Sequence, residues 1–311
     1  MSESEYIKVT TLDEAFAQAA AHTGDYVYSG GGTDLQLYRK KQLLPQRCII
    51  DISEIPQLRT ITIDGDTLII GSMVTLDELL NAPDIHAWCP LMTEAARSVA
   101  TPVIRMTATV GGNLLVANRC TFYNQSRFWR ESVGSCLRES GDTCLVTKGK
   151  DKCFSRNVSD LAPALIALGA RVSITGPDGT RTLPLEQLYT GDGIRIHAHL
   201  DDAAILTEVR VTARPARWFY RKLRRRRSID FTSLTVAAAA DDEKQTRVCV
   251  NGMSMAPVLV EADLSDTTLE ELQRRVRRAC RTVDNDLLPL SYRREMRDQF
   301  IARLYREIAE S

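Results

Sequence analysis

Hydrophobic spacing in this chain switches repeatedly between the helical and the strand period, in short blocks separated by Gly, Asp and Pro. A helix is expected over 11–22, with Thr10 or Thr11 as N-cap and Gly24 as its stop. Strands follow at 25–29 and 47–51, with a helical run between them at 35–41. An Asp/Gly turn at 64–66 joins 59–63 and 67–71 as a hairpin. Helices are expected at 75–81, 90–99 and 160–168, a strand at 170–175, a turn at 176–179 and a short helical link at 182–189. From about residue 214 the pattern becomes strands at 218–220, 229–240 and 247–251, then helices at 268–283 and 291–309. In the first of these two helices Leu272, Val276 and Ala279 are expected on the packed face. The sum is an α+β chain whose C-terminal part is a small antiparallel sheet covered by two helices.

One stretch escapes both periods. Between Cys120 and Cys153 the residues are polar and turn-rich, and four of the eight cysteines stand there in the spacing C-x15-C-x7-C-x8-C. Disulfides suit oxidising compartments, and the acidic, polar N-terminus has no apolar export segment. Structural zinc favours tight C-x2–4-C pairs, which are absent. An iron–sulfur cube tolerates longer intervals. Spacing alone leaves iron–sulfur, zinc and chance clustering all open. Cys48 and Cys249 sit in strand-like runs and read as small buried hydrophobes, and Cys89 and Cys280 are scattered.

Two glycine turns are the other chemical signal. Gly30, Gly31, Gly32, Thr33 and Asp34 follow a strand and precede a helix, a setting in which backbone N–H groups can cradle a phosphate. Thr109, Val110, Gly111, Gly112 and Asn113 follow a second helix. Neither matches the dinucleotide or P-loop fingerprint, but two such turns suit a long dinucleotide lying between two lobes. With 40 basic and 40 acidic residues, there is no general electrostatic case for nucleic acid or an anionic membrane. The basic run at 224–227 lacks interleaved aromatics and reads as a solvated turn or subunit contact. His197 and His199, near Asp201 and Asp202, form an H-x-H pair of the kind that is usually incidental. No apolar run reaches membrane-span length, so a soluble, cytoplasmic protein is expected. No Ser/His/Asp or paired-carboxylate constellation stands out, so no catalytic residue is assigned.

The run from Cys120 to Ser126, Trp129 with Arg130, the four cysteine intervals, and 159–165 (SDLAPAL) resemble the FAD-binding subunit of 4-hydroxybenzoyl-CoA reductase. That subunit belongs to the xanthine dehydrogenase, or molybdenum hydroxylase, family. The resemblance implies a two-lobed, PCMH-like flavin fold: an N-terminal lobe at 1–53, a middle lobe at 54–213 with an insertion at about 119–158, and a C-terminal domain at 214–311. It implies a [4Fe–4S] cluster on Cys120, Cys136, Cys144 and Cys153. It further implies FAD, with the pyrophosphate on Ser29 to Leu35 and on Thr109 to Asn113, and Asn113 near the isoalloxazine. Asp160 would hold the adenosine end, with further contacts from Val99, Leu206 and Lys222. Asp160 read without the resemblance is, with Ser159, an ordinary helix N-cap.

The implied partners are a large molybdopterin subunit and a small subunit with two [2Fe–2S] clusters, in a dimer of heterotrimers supplied by ferredoxin or a similar one-electron carrier. The implied reaction is reductive dehydroxylation of an aromatic acyl-CoA on the partner. Two other readings stand beside it: an aldehyde, purine or aromatic hydroxylase sending electrons outward through FAD, and a zinc-stabilised interaction module without redox chemistry.

Overall fold

The protein is described by a computed structural model covering residues 5–200, 203–212 and 214–310. Three sheets carry it. The first is parallel: β1 (Glu5–Lys8) and β2 (Tyr26–Ser29) flank β3 (Cys48–Asp51), so Ser29 lies opposite Asp51 at the carboxyl ends. Parallel pairing demands a crossover, which helix Leu12–Ala21 provides between β1 and β2. Thr11 caps that helix by accepting from the Glu14 N–H.

The second sheet is antiparallel, in the order β4 (Ile61–Asp64), β5 (Thr67–Gly71), β8 (Ile205–Val211), β6 (Arg171–Gly176), β7 (Gly179–Pro184). Its inner face packs on helices Leu76–Asn81, Pro83–Trp88, Pro90–Arg97 and Leu161–Ala167, the last buried along its whole length. The third sheet runs β12 (Val258–Asp263), β11 (Gln245–Asn251), β10 (Leu234–Ala240), β9 (Arg217–Leu223). Helices Leu269–Ala279 and Leu290–Ile308 cover one face, while Ala237, Ala239 and Cys249 face the core of the second sheet. Every residue of β10 is buried, because both faces are covered.

Several expectations need correction. Residues 182–184 are extended and close the β6–β7 hairpin, so only Leu185–Leu188 turns helically. Residues 229–233 are not strand; β10 starts at Leu234, and β12 went unforeseen. Ala279 is exposed and Cys280, the C-cap, takes the buried place, because the helix ends there. The cysteine-rich stretch holds a helix, Arg127–Val133, with an exposed Phe128 that hides its period. Among the described residues no helix is long and apolar enough to cross a membrane.

Candidate functional site: two glycine turns and a four-cysteine cradle

The first glycine turn leaves the carboxyl end of β2. Among the described residues, no backbone N–H from Gly30 to Leu35 donates to a protein acceptor. Consecutive free N–H groups at a strand-to-helix turn suit an anion. Gly32 takes φ +66°, a left-handed conformation that glycine adopts without strain.

The second turn is differently built. Thr109 caps helix Val110–Leu114, accepting from the Gly112 N–H at 3.0 Å. Val110 N–H donates to Val74 O, Gly111 N–H to Ser72 O and Asn113 N–H to Thr109 O, so its N–H groups are satisfied within the protein. It braces the first turn. A Cβ on Gly31 would stand 1.7 Å from Thr107 O, and one on Gly111 would stand 2.7 Å from Ser72 Cβ. At these two positions the missing Cβ serves close packing of the backbones against each other.

Asn113 and Asp160 meet at the start of helix Leu161–Ala167. Asn113 Oδ1 accepts from Ser159 Oγ at 2.9 Å and from the Leu161 N–H at 3.0 Å, and Ser159 Oγ accepts from the Ala162 N–H. Of the expected Ser159–Asp160 cap, Ser159 alone supplies the capping bond, and the Asp160 side chain makes none. Its carboxylate instead pairs with Lys222 Nζ at 2.8 Å, each side chain 4% exposed. Burial pushes the Asp160 carboxyl up and the Lys222 ammonium down, against their mutual attraction. Lys222 also donates to Ser98 O at 3.0 Å, while Asp160 Oδ1 is buried with no partner. An orphaned carboxylate oxygen beside a buried ammonium is an acceptor free for a ligand hydroxyl or amine. Val99 is buried just past helix Pro90–Arg97, and Leu206 is buried in β8 opposite Ile174.

All eight cysteines are unpaired thiols. Cys120, Cys136, Cys144 and Cys153 line one small cleft with Phe122, Tyr123 and Arg138. The loops repeat one device. Backbone N–H groups two and three residues on donate to three of the four sulfurs: Phe122 and Tyr123 to Cys120, Arg138 and Glu139 to Cys136, Val146 and Thr147 to Cys144. Burial raises the thiols of Cys120 and Cys136. At Cys144 burial also raises it, but hydrogen bonds from the Phe154 N–H and from Thr147 outweigh that and hold the thiol below its ordinary value. Such donors favour thiolate, the form that ligates metal.

A tetrahedral zinc with Zn–S of about 2.3 Å would bring its sulfurs to about 3.8 Å from one another. The four cysteines form no group of three with ligand atoms within 4.8 Å; among the described residues that holds only for Glu5, His22 and Cys48. The four sulfurs are therefore not gathered at the spacing of a zinc tetrahedron. Gly193 completes the cradle from outside the insertion, since a Cβ there would stand 2.7 Å from Cys153 Sγ.

Sequence reasoning missed Arg119, and it singled out Asn124 and Arg130 as part of the resemblance without seeing that they join the cradle to the first glycine turn. Arg119 ion-pairs with Asp34, whose carboxyl burial pushes up while Arg119 pulls it down. The only signal was an arginine next to the first cysteine. His197 is held by its Leu114 contact and tilts against Tyr189, an internal role with no metal partner; Asp201 and Asp202 lie outside the described residues.

Residues 2–213 match the family described as FAD binding domain in molybdopterin dehydrogenase, and the chain belongs to that family. It is an FAD-binding oxidoreductase component. The carbon monoxide dehydrogenase medium chain of Hydrogenophaga pseudoflava is 28% identical over 71% of this chain and 64% of its own length, just under two thirds. The aldehyde oxidoreductase FAD-binding subunit PaoB of Escherichia coli is 27% identical over 83% of each chain. Among solved structures, carbon monoxide dehydrogenase from H. pseudoflava superposes with a TM-score of 0.76 at 22% identity over 98% of this chain and 97% of that one. Quinoline 2-oxidoreductase from Pseudomonas putida 86 gives 0.70 at 16% identity, over 99% and 95%. These superpositions establish the α+β flavin-subunit fold.

Proposed function

We propose that the chain is the FAD- and [4Fe–4S]-carrying electron-transfer subunit of a multi-subunit molybdenum enzyme, most like 4-hydroxybenzoyl-CoA reductase. The observation that carries this is the convergence of Cys120, Cys136, Cys144 and Cys153 on one cleft, without the close three-sulfur grouping a single zinc would need. The free N–H groups of 30–35 and the orphaned Asp160 oxygen support FAD at the pyrophosphate and at a hydroxyl or amine end. Thr109 to Asn113, Val99, Leu206 and Lys222 frame the same region in this reading. FAD exchanges electrons singly or in pairs, whereas an iron–sulfur cluster passes one at a time.

The protein's own part is placement. The first glycine turn holds the phosphates, braced by the second, whose N–H groups are already used within the protein; the Asp160–Lys222 pair orients one end, and the N–H donors stabilise the thiolates. Substrate chemistry would lie on a molybdopterin subunit, reached through a small [2Fe–2S] subunit, in a dimer of heterotrimers. Electrons would come from ferredoxin or another one-electron carrier.

Anaerobic purification tests the reading: about one FAD and four irons per chain are expected. Cys136→Ser should abolish the iron absorption and leave flavin stoichiometry intact at saturating FAD. Zinc in place of iron, or flavin lost while iron stays, would defeat it. The relatives' names favour a second reading, in which the partner is a hydroxylase and electrons leave through FAD. Rapid flavin reduction by the substrate-reduced partner, with none by a low-potential one-electron donor, would select that direction.

A further inference from the structure

The cysteine insertion joins the rest of the chain at a narrow neck. Arg119 N–H donates to Arg156 O at 2.8 Å, and Arg156 N–H returns to Arg119 O at 2.9 Å. Cys120 follows Arg119 directly. The Arg119 side chain turns away from the cysteines toward the first glycine turn. There it ion-pairs with Asp34, its guanidinium 5.0 Å from the Tyr38 ring and 4.4 Å from Phe231. Other contacts run the same way. Asn124 Oδ1 accepts the Cys120 N–H at 2.8 Å while its Nδ2 donates to the Tyr38 hydroxyl at 3.2 Å. Lys41 Nζ donates to Asn124 O, and buried Arg130 donates to Lys41 O and Gln42 O. The insertion is docked on helix Leu35–Lys40, which begins where the unpaired N–H groups end.

We propose that Arg119 is a positioning residue that makes FAD affinity depend on the four-cysteine cradle being filled. The dependence on filling rests on the cluster reading above; the role of Arg119 toward Asp34 does not. Asp34 sets a carboxylate in the turn whose N–H groups would hold an anionic pyrophosphate, and it caps nothing, since its side chain makes no cap hydrogen bond. Two anions in one turn repel each other unless a cation stands beside them, and Arg119 is that cation.

The insertion has almost no apolar core of its own: Cys144 and Phe154 are buried against Met255 of the C-terminal part. Its order therefore comes from the polar contacts just described and from whatever the four sulfurs hold. An emptied cradle frees the neck, Arg119 leaves Asp34, and helix Leu35–Lys40 loses its anchor. By reciprocity, bound FAD tightens the hold of the cradle on its cluster by the same factor.

The test uses the full chain and reads the FAD dissociation constant by flavin fluorescence, before and after anaerobic chelation of iron. In the wild type, iron removal weakens FAD binding by roughly ten- to a hundredfold, the usual range for coupled sites. Arg119→Ala weakens it to a similar extent with iron present and flattens the dependence on iron, while Arg119→Lys keeps most of the affinity. Adding Asp34→Asn to Arg119→Ala recovers part of the loss, because the repelling carboxylate is gone. A purely structural arginine would give no such recovery.

Unchanged FAD affinity in Arg119→Ala, or a double variant no better than the single one, overturns the proposal. An iron dependence that persists undiminished in Arg119→Ala overturns the coupling through this residue. A wild type that takes up no iron defeats the cluster reading instead, and the Arg119→Ala and double-variant comparisons still decide the role of Arg119.

Discussion

Asp160 and Lys222, separated by 62 positions in the chain, form a buried ion pair at 2.8 Å that joins the start of helix Leu161–Ala167 to strand β9. The pair links the second sheet's helical layer to the third sheet. Tyr220, two residues before Lys222, donates from its hydroxyl to the Asp160 carbonyl at 3.3 Å and contacts Ser98 Oγ at 2.9 Å.

Removing one partner should therefore damage the fold as well as the site. Lys222→Met leaves Asp160 as an uncompensated buried charge and should lower stability by about 3–5 kcal/mol. Adding Asp160→Asn should recover most of that. In the single variant burial raises the Asp160 carboxyl against the remaining pull of Arg224 and Arg156, so the native state prefers the proton and the lost stability returns as pH falls. Urea midpoints of both variants across pH check each part. A Lys222→Met protein as stable as wild type at neutral pH would show that water reaches the pair.

The two glycines at the centre of the first turn should respond differently to alanine. At Gly31 the added Cβ meets Thr107 O at 1.7 Å, a backbone clash that only separation of the two turns relieves. Gly31→Ala should therefore abolish FAD retention and destabilise the protein by several kcal/mol, at the top of the usual range for overpacking, about 1–3 kcal/mol or more. At Gly32 the nearest atom is Ser29 Oγ at 3.6 Å and only the φ of +66° is unfavourable, so Gly32→Ala should cost about 1–2 kcal/mol. Flavin content after gel filtration, with thermal melts, separates the two.

The contrast between these glycines marks where the sequence was legible. Gly30 to Asp34 announced a turn between strand and helix, and the structure has one. It could not show that Gly31 faces backbone from a segment far along the chain, because only the packed fold brings Thr107 there. The hairpin at β4–β5 and the Thr11 and Thr75 caps were readable because their chemistry is local; Thr75 and Glu78 form a reciprocal capping box. The Asp160–Lys222 pair and the Arg119–Asp34 contact were not, since each joins residues whose proximity is set by tertiary packing. Strand β12 escaped because Val258, Leu259 and Val260 are only partly buried, on an edge strand with a weak period.

His197, held at Leu114 at the end of the second glycine turn's helix, gives the chain an acid-labile point. Burial drops its pKa to about 4, against the Leu114 hydrogen bond, and its Nε2 is fully enclosed although the ring edge is partly exposed. A lowered folded-state value means the native state prefers neutral imidazole. The contribution is complete above the unfolded value of about 6.5 and is lost as pH falls from there toward 4. Between pH 7 and 5 this group alone should remove about 2 kcal/mol. A His197→Asn variant, less stable at pH 7, should show that much less loss over the same interval in urea titrations. An identical pH slope in both proteins would move the effect to another group.

Gly193 lies forty residues past Cys153 in sequence, yet the Gly193 N–H donates to Cys153 O at 3.0 Å. A Cβ at this position would stand 2.2 Å from Ser155 Oγ and 2.7 Å from Cys153 Sγ, in a backbone held at both ends by hydrogen bonds to 153 and 155. The hydroxyl of Ser155 can rotate away, but the sulfur can move only by leaving the cleft it shares with the other three cysteines. Gly193→Ala should thus reduce iron content several-fold and make the remaining cluster easier to chelate. Thermal stability of the FAD-saturated protein should change little, because the second and third sheets do not depend on Cys153. Iron content at the wild-type level would show that the fourth ligand sits elsewhere; a matching collapse of the melting temperature would show that Gly193 serves the fold rather than the cradle.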